Sequence, residues 1–205
     1  MHTEDRQKIL GAVRSALAPL KNRAAYPEYD PVFALSKSYQ PGAERWEAFG
    51  TEFRKVHGIP LDHPSALAEE LIGQKALFGY CDPQIAEIIR KVLPGDISFE
   101  TEFDRAKVDV YQFGITRAAG AIAETGSVIL NERTSASRFG ALAPWVHVAC
   151  VSSRDLLGTV AEGLEKLGDD PNIIWVTGPS KTADIEGVLV EGVHGPGIQI
   201  CLLMD

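Results

Sequence analysis

Residues 172–204, NIIWVTGPSKTADIEGVLVEGVHGPGIQICLLM, decide the fold class. NIIWVTG is an apolar, β-branched run of the kind that forms a buried strand, and IQICLLM is another. Between them KTADIEGVLVEG reads as a helix that opens near Ser180 or Thr182 and closes at Gly192. A strand, helix, strand unit joins two parallel strands, so the stretch predicts an α/β sheet. The same alternation continues upstream. WVHVACV (145–151) is a strand, followed by SRDLLGTVAEGLEKLG (153–168) as a helix ending at Gly168. AIAE and SVILN are strands parted by Thr125-Gly126. ISFE is a short strand, DPQIAEIIRKV a helix with Asp82 at its cap, KALFGY a strand and SALAEELI a helix. The expectation is an α/β domain over residues 64–205. Its largely parallel sheet carries helices on both faces and places ligands near the carboxyl ends of the strands.

Residues 1–63 read as an N-terminal helical extension. Thr3 can cap a first helix with Ile9, Leu10, Val13 and Leu17 on one face. Residues 19–42 hold four prolines and no period, which suits a linker. A second helix carries Trp46, Phe49, Phe53 and Val56 at helical spacing, a docking face rather than a cofactor box.

Composition narrows the function classes. At 205 residues with 45% apolar and 23% charged residues, the chain can bury a substantial core. A net charge of −8 opposes the phosphate backbone, so no nucleic-acid partner is expected. No apolar run has signal-peptide or membrane-span character, which predicts a cytoplasmic protein with no membrane span. Cys81, Cys150 and Cys201 are widely spaced among apolar residues and read as reduced core thiols. No CxxC occurs, so neither a zinc site nor an iron-sulfur cluster is expected.

Chemistry concentrates in the glycine corners. In IIWVTGPSKTADIEG a strand runs into Gly178-Pro179-Ser180-Lys181-Thr182. A helix opening there would offer free amide groups to a carboxylate or phosphate, or Ser180 and Thr182 would simply cap it. GPSKT is not a Walker loop, because Ser180 stands where that motif needs Gly. The glycines at 114, 120 and 126 do not fit GxGxxG, so no nicotinamide site and no other cofactor is predicted. In AIAETGS, Glu124 ends an apolar strand beside Thr125 and Gly126. Left unpaired it suits an acid, base or nucleophile; paired with Arg117, Arg133 or Arg138 it is structural. His194 in EGVHGPG can bind an anion or move a proton, or hydrogen-bond a backbone carbonyl. His147 within WVHVACV reads as a packed or edge-strand residue.

GPSKTADIE, GVHGP and the upstream IAETG together resemble the lactate utilisation protein C family, whose LUD domain belongs to the ribose-5-phosphate isomerase and CoA-transferase superfamily. The likeness covers residues 64 to 205. It implies an accessory subunit of a cytoplasmic system that oxidises L-lactate to pyruvate, with iron-sulfur proteins as partners and no redox centre of its own. A homo-oligomer is compatible with it. The positions carried by the motifs are Glu124, Thr125 and Gly126; Gly178, Pro179, Ser180, Thr182, Asp184 and Glu186; and Gly192, His194, Gly195 and Pro196. Lys181 replaces an Arg expected in relatives, keeping the charge without the two-pronged fork. Glu124 and His194 are the candidate catalytic groups. Thr125, Gly126, Gly178, Pro179, Ser180, Lys181, Thr182, Asp184 and Gly195 are the candidate binders of a small anionic ligand. The alternative is a stand-alone enzyme acting on a CoA ester or sugar phosphate through Glu124.

Overall fold

The computed structural model describes residues 3–19, 39–167, 170–183 and 188–204. The chain divides into two compact units, Met1–Leu35 and Ser36–Asp205. The described part of the first is a helix, α1 (Thr3–Leu17), with Glu4 and Asp5 in its first turn and Arg14 in its last, charges that complement the helix dipole.

In the second unit, six strands form one parallel sheet. They are β1 (Ile59–Leu61), β2 (Phe78–Cys81), β3 (Ser98–Glu100), β4 (Phe113–Arg117), β7 (Val146–Val151) and β12 (Ile198–Leu203), in the spatial order β1-β12-β7-β4-β2-β3. The expected largely parallel sheet with helices on both faces is therefore present. The strand pleat sorts side chains between the two faces. Val146, Val148, Ile200 and Leu202 join Phe113 and Ile115 on one face. There α3 (Ala66–Gly73) buries Leu67 and Leu71, and α4 (Ala86–Val92) buries Ile89. Burying each such side chain stabilises the fold by about 1.5–3 kcal/mol.

Ala149, Val151 and Cys201 point to the other face, with Leu203 packed beside them. They meet α2 (Ala43–Lys55), α5 (Arg138–Leu142) and a second sheet. That sheet runs β8 (Leu156–Leu157), β5 (Gly120–Ile122), β6 (Ser127–Asn131), β9 (Ile173–Val176). β5, β6 and β9 are antiparallel neighbours, while β8 runs parallel to β5. Its outer face is covered by α6 (Val160–Leu167), which closes a small core of Ile122, Ile129, Leu157 and Leu167.

The predicted docking stripe of the second helix is real. Phe49 and Phe53 are fully buried, and Trp46, Phe49 and Phe53 stack in sequence at centroid distances of 5.3 and 4.9 Å. Because α2 fills this core and β1 pairs with β12, the α/β unit starts before the expected boundary at residue 64. Of the Pro-rich stretch 19–42, residues 20–38 lie outside the described residues.

Three elements differ from expectation. Lys181–Ala183 (β10) and Leu189–Glu191 (β11) pair antiparallel as a hairpin, so no helix opens at Ser180 or Thr182. Val188, Leu189 and Val190 favour an extended chain, and pairing with it wins over the helical reading at Lys181–Ala183. The stretch 153–168 splits into a short 3-10 turn (Ser153–Asp155), β8 and α6, because Leu156 and Leu157 complete the edge of the second sheet beside β5. Finally, Asp82 does not cap α4, which begins at Ala86. Its buried carboxylate instead accepts hydrogen bonds from Gln84 N (2.9 Å) and Arg117 Nε (3.1 Å).

Candidate functional site

β9 leads into Thr177-Gly178-Pro179-Ser180. Gly178 has φ 79°, and a Cβ there would stand 2.2 Å from the carbonyl oxygen of Val56, so only glycine lets this corner rest against the end of α2. The corner is stitched to the turn before β12: Ser180 N donates to Pro196 O (2.9 Å), and Gly192 N donates to Ser180 O (2.9 Å). Backbone hydrogen bonds thus join the two glycine corners that flank β10 and β11.

Between them lies a cleft of about 440 Å³. Gly178, Pro179, Ser180, Lys181, His194 and Gly195 line it. Its inner wall includes His147 and Gln199, both buried. His147 Nδ1 is 2.9 Å from Gln199 Oε1, and its Nε2 is 2.9 Å from Thr116 Oγ1. Gln199 Nε2 donates to Ile200 O (3.3 Å), which leaves Oε1 as the acceptor for the imidazole. Nδ1 therefore carries the proton and Nε2 accepts from the Thr116 hydroxyl. Burial pushes the His147 pKa down to about 4, so the ring is neutral at pH 7 despite the opposing effect of the hydrogen bond it donates to Gln199. A neutral imidazole fixed between two polar side chains costs the core little and adds a directional polar wall to the cleft.

This cleft lies at the amino ends of β7 and β12, since His147 and Gln199 are the second residues of those strands. The sequence had pointed to the carboxyl ends. β9 does not join the parallel sheet but ends the second one, and the 178–181 corner that follows it is bonded to the turn entering the amino end of β12.

The other candidates divide. Lys181 Nζ donates to Val56 O (3.2 Å) and stands 3.4 Å from Glu191 Oε1, so its charge is engaged outside the cleft. Glu191 also accepts from His57 Nδ1 (2.7 Å), a hydrogen bond that, with Lys181, holds its carboxyl below the usual range. Thr182 lies in β10 opposite Val190. Asp184 and Glu186 lie outside the described residues. Glu124, Thr125 and Gly126 form the turn between β5 and β6, and none of them lines the cleft. Glu124 Oε2 accepts from Val160 N (2.9 Å), the first amide of α6, while no arginine reaches it among the described residues. Thr125 Oγ1 donates to Ser127 Oγ (2.7 Å), which is 2.8 Å from Thr177 Oγ1, so hydroxyls link this turn to the 178 corner.

Sequence reasoning assigned His147 to packing and gave Thr116 and Gln199 no role. A signal was there: FGITR, VHVACV and IQICLL each carry one inward polar residue in an apolar strand. Only the parallel register, with Gln199 directly beside His147 and Thr116 one strand away, shows that they meet.

A LUD domain family model matches residues 67–204. An uncharacterised protein of Neisseria meningitidis serogroup B is 35% identical, with 91% of each chain covered. Lactate utilization protein C of Deinococcus radiodurans is 37% identical over 47% of this chain and 48% of its own length, and the protein of that name from Oceanobacillus iheyensis is 30% identical over 54% and 49%. The chain spans about half the length of these two curated relatives. The crystal structure of a DUF162 family protein from Deinococcus radiodurans superposes with a TM-score of 0.58 at 24% identity, covering 79% of this chain and 98% of that one, which shows the same fold.

Proposed function

The chain belongs to the LUD domain family, and on that premise we propose that it is an accessory subunit of a cytoplasmic system oxidising L-lactate to pyruvate, with a small carboxylate held in the cleft between the 178–181 and 194–196 corners. Its relatives named lactate utilization protein C support the role in lactate utilisation. The observation that carries the site is the convergence of Ser180 and His194 on one cleft walled by the buried His147–Gln199 pair. In this reading Ser180 and His194 donate to the carboxylate, while Gln199 and Thr116 hold neutral His147 to offer shape and polarity without charge. Iron-sulfur proteins of the same system are the partners, and electrons travel through them. The absence of any described helix long and apolar enough to cross a membrane is compatible with this placement.

The reading through Glu124 as a nucleophile has less support, because its carboxylate is already engaged by the first amide of α6.

Two measurements test the proposal. Lactate oxidation by the purified iron-sulfur partners is assayed with and without this chain, and an equal rate in both excludes the subunit role. A ligand at 100 times its dissociation constant stabilises its receptor by about 2.7 kcal/mol. Lactate or pyruvate is therefore expected to raise the melting temperature by roughly 5–10 °C, and Ser180→Ala or His194→Ala to reduce that rise.

A further inference from the structure

The opposite edge of the central sheet holds a second constellation. After β2 the chain turns toward β3, and after β4 it turns the other way toward β7, so the sheet order reverses between β2 and β4. A crevice opens at such a switch point beyond the carboxyl ends of the strands. Here a cavity of about 390 Å³ is lined by Tyr80, Thr101, Phe103, Arg105, Ser137 and Phe139. Past Phe139 it adjoins a second cavity of about 590 Å³, where Arg138, Leu142 and Ile174 join Arg105, Ser137 and Phe139.

The loop that presents Ser137 and Arg138 is anchored from below. Arg117, at the end of β4, pairs with buried Asp82 at the end of β2 and donates through Nη2 to Thr134 O (2.6 Å), while Ser135 Oγ donates to Arg117 O (2.8 Å). This ion pair fixes the loop across the reversal. On the rim, the Arg105 guanidinium stacks 4.6 Å from the centre of the Phe139 ring. Arg138 Nη1 donates to Asn172 Oδ1 (3.1 Å). Ser137 Oγ accepts from Gly140 N (3.1 Å), which leaves its own proton free to donate.

Arg45, Arg90, Arg117, Arg133 and Arg154 each lie within ion-pair distance of a carboxylate. Arg6, Arg14, Arg54, Arg105 and Arg138 make no such pair among the described residues, and of these Arg105 and Arg138 line one crevice together, in a protein whose net charge is −8. Glu102 on the rim of the smaller cavity is the opposing charge. Guanidinium forks match phosphate and carboxylate geometry, and the wall between them is aromatic and aliphatic.

We propose that this crevice binds an organic anion, with its phosphate or carboxylate between Arg105, Arg138 and Ser137 and its apolar body along Phe139, Leu142 and Ile174. The site shares Leu142 and Ile174 with the cleft around Ser180 and His194, but its charged and hydroxyl groups are different ones.

Titration calorimetry of the full chain with phenyl phosphate, benzoate and inorganic phosphate tests this. Phenyl phosphate or benzoate binds saturably and about tenfold more tightly than inorganic phosphate; whichever of the two leads assigns the head group. Arg105→Gln and Arg138→Gln each weaken it about tenfold, and Phe139→Ala removes the preference for the ring-bearing anion. These rim side chains are exposed, so the variants keep the wild-type melting curve. Unaltered affinity in the double arginine variant, or no saturation by either ring-bearing anion up to about 10 mM, overturns the proposal.

Discussion

His147 is neutral because the fold keeps it dry, and that makes it a reporter of the sheet's integrity. Its pKa falls from 6.5 to about 4 on folding, so the unfolded chain binds the proton more readily across that interval. Stability is complete above pH 6.5 and declines as pH falls toward 4. Between about pH 7.5 and pH 5 the wild type is expected to lose on the order of 2 kcal/mol from this group. Glu100 and Glu191, whose carboxyls are lowered by Lys107 and His57, titrate below that window. Urea unfolding of wild type and His147→Gln at the two pH values measures the effect, and equal pH dependence in both would contradict it. Glu124 carries a second prediction at this scale. If its main task is to receive the α6 amide, Glu124→Gln lowers stability by about 0.5–1 kcal/mol in thermal melts while leaving lactate-dependent stabilisation intact.

At the level of elements, the glycine turns act as sockets for α2. Gly126 has φ 63° and a Cβ placed there would lie 2.4 Å from Phe53 N; the Gly178 corner abuts Val56 O in the same way. Backbone cannot yield as a flexible side chain does. Gly126→Ala and Gly178→Ala are each expected to cost about 2–3 kcal/mol, whereas Gly73→Ala at the end of α3, with nothing within 4 Å of the new methyl, changes stability by less than about 1 kcal/mol. Denaturant midpoints decide this; equal effects at all three sites would remove the socket role. The same corners explain which parts of the structure were legible beforehand. The strands around NIIWV, VHVACV and IQICLL declare themselves by long apolar runs, and the α2 stripe by its period. The pairing of Lys181–Ala183 with Leu189–Glu191 does not, because KTADIE has helical composition and only the partner strand makes its first three residues extended. Ser180 and His194 read as candidate site residues from their glycine surroundings. Placing them at the amino edge, apart from Glu124, requires knowing that β9 joins the second sheet, which no local pattern encodes.

For the whole molecule, the boundary of the α/β unit has a direct test. All three buried clusters lie within residues 36–205. Removing residues 1–35 is expected to leave a cooperatively folded protein with a melting temperature close to that of the full chain. Starting instead at residue 64 removes β1 together with Phe49 and Phe53, each fully buried and each worth about 3–5 kcal/mol in a core. That shorter protein is expected to show no cooperative transition by circular dichroism, and a normal melt from it would place the boundary where the family match begins.

β12 lies between β1 and β7, with Ile59 pairing to Ile200 and Val146 to Ile198. During translation, then, the early strand waits exposed until residues 198–203 have left the ribosome, because nothing made sooner can occupy the gap. Such late closure of distant pairs slows folding and leaves apolar edges uncovered in nascent chains.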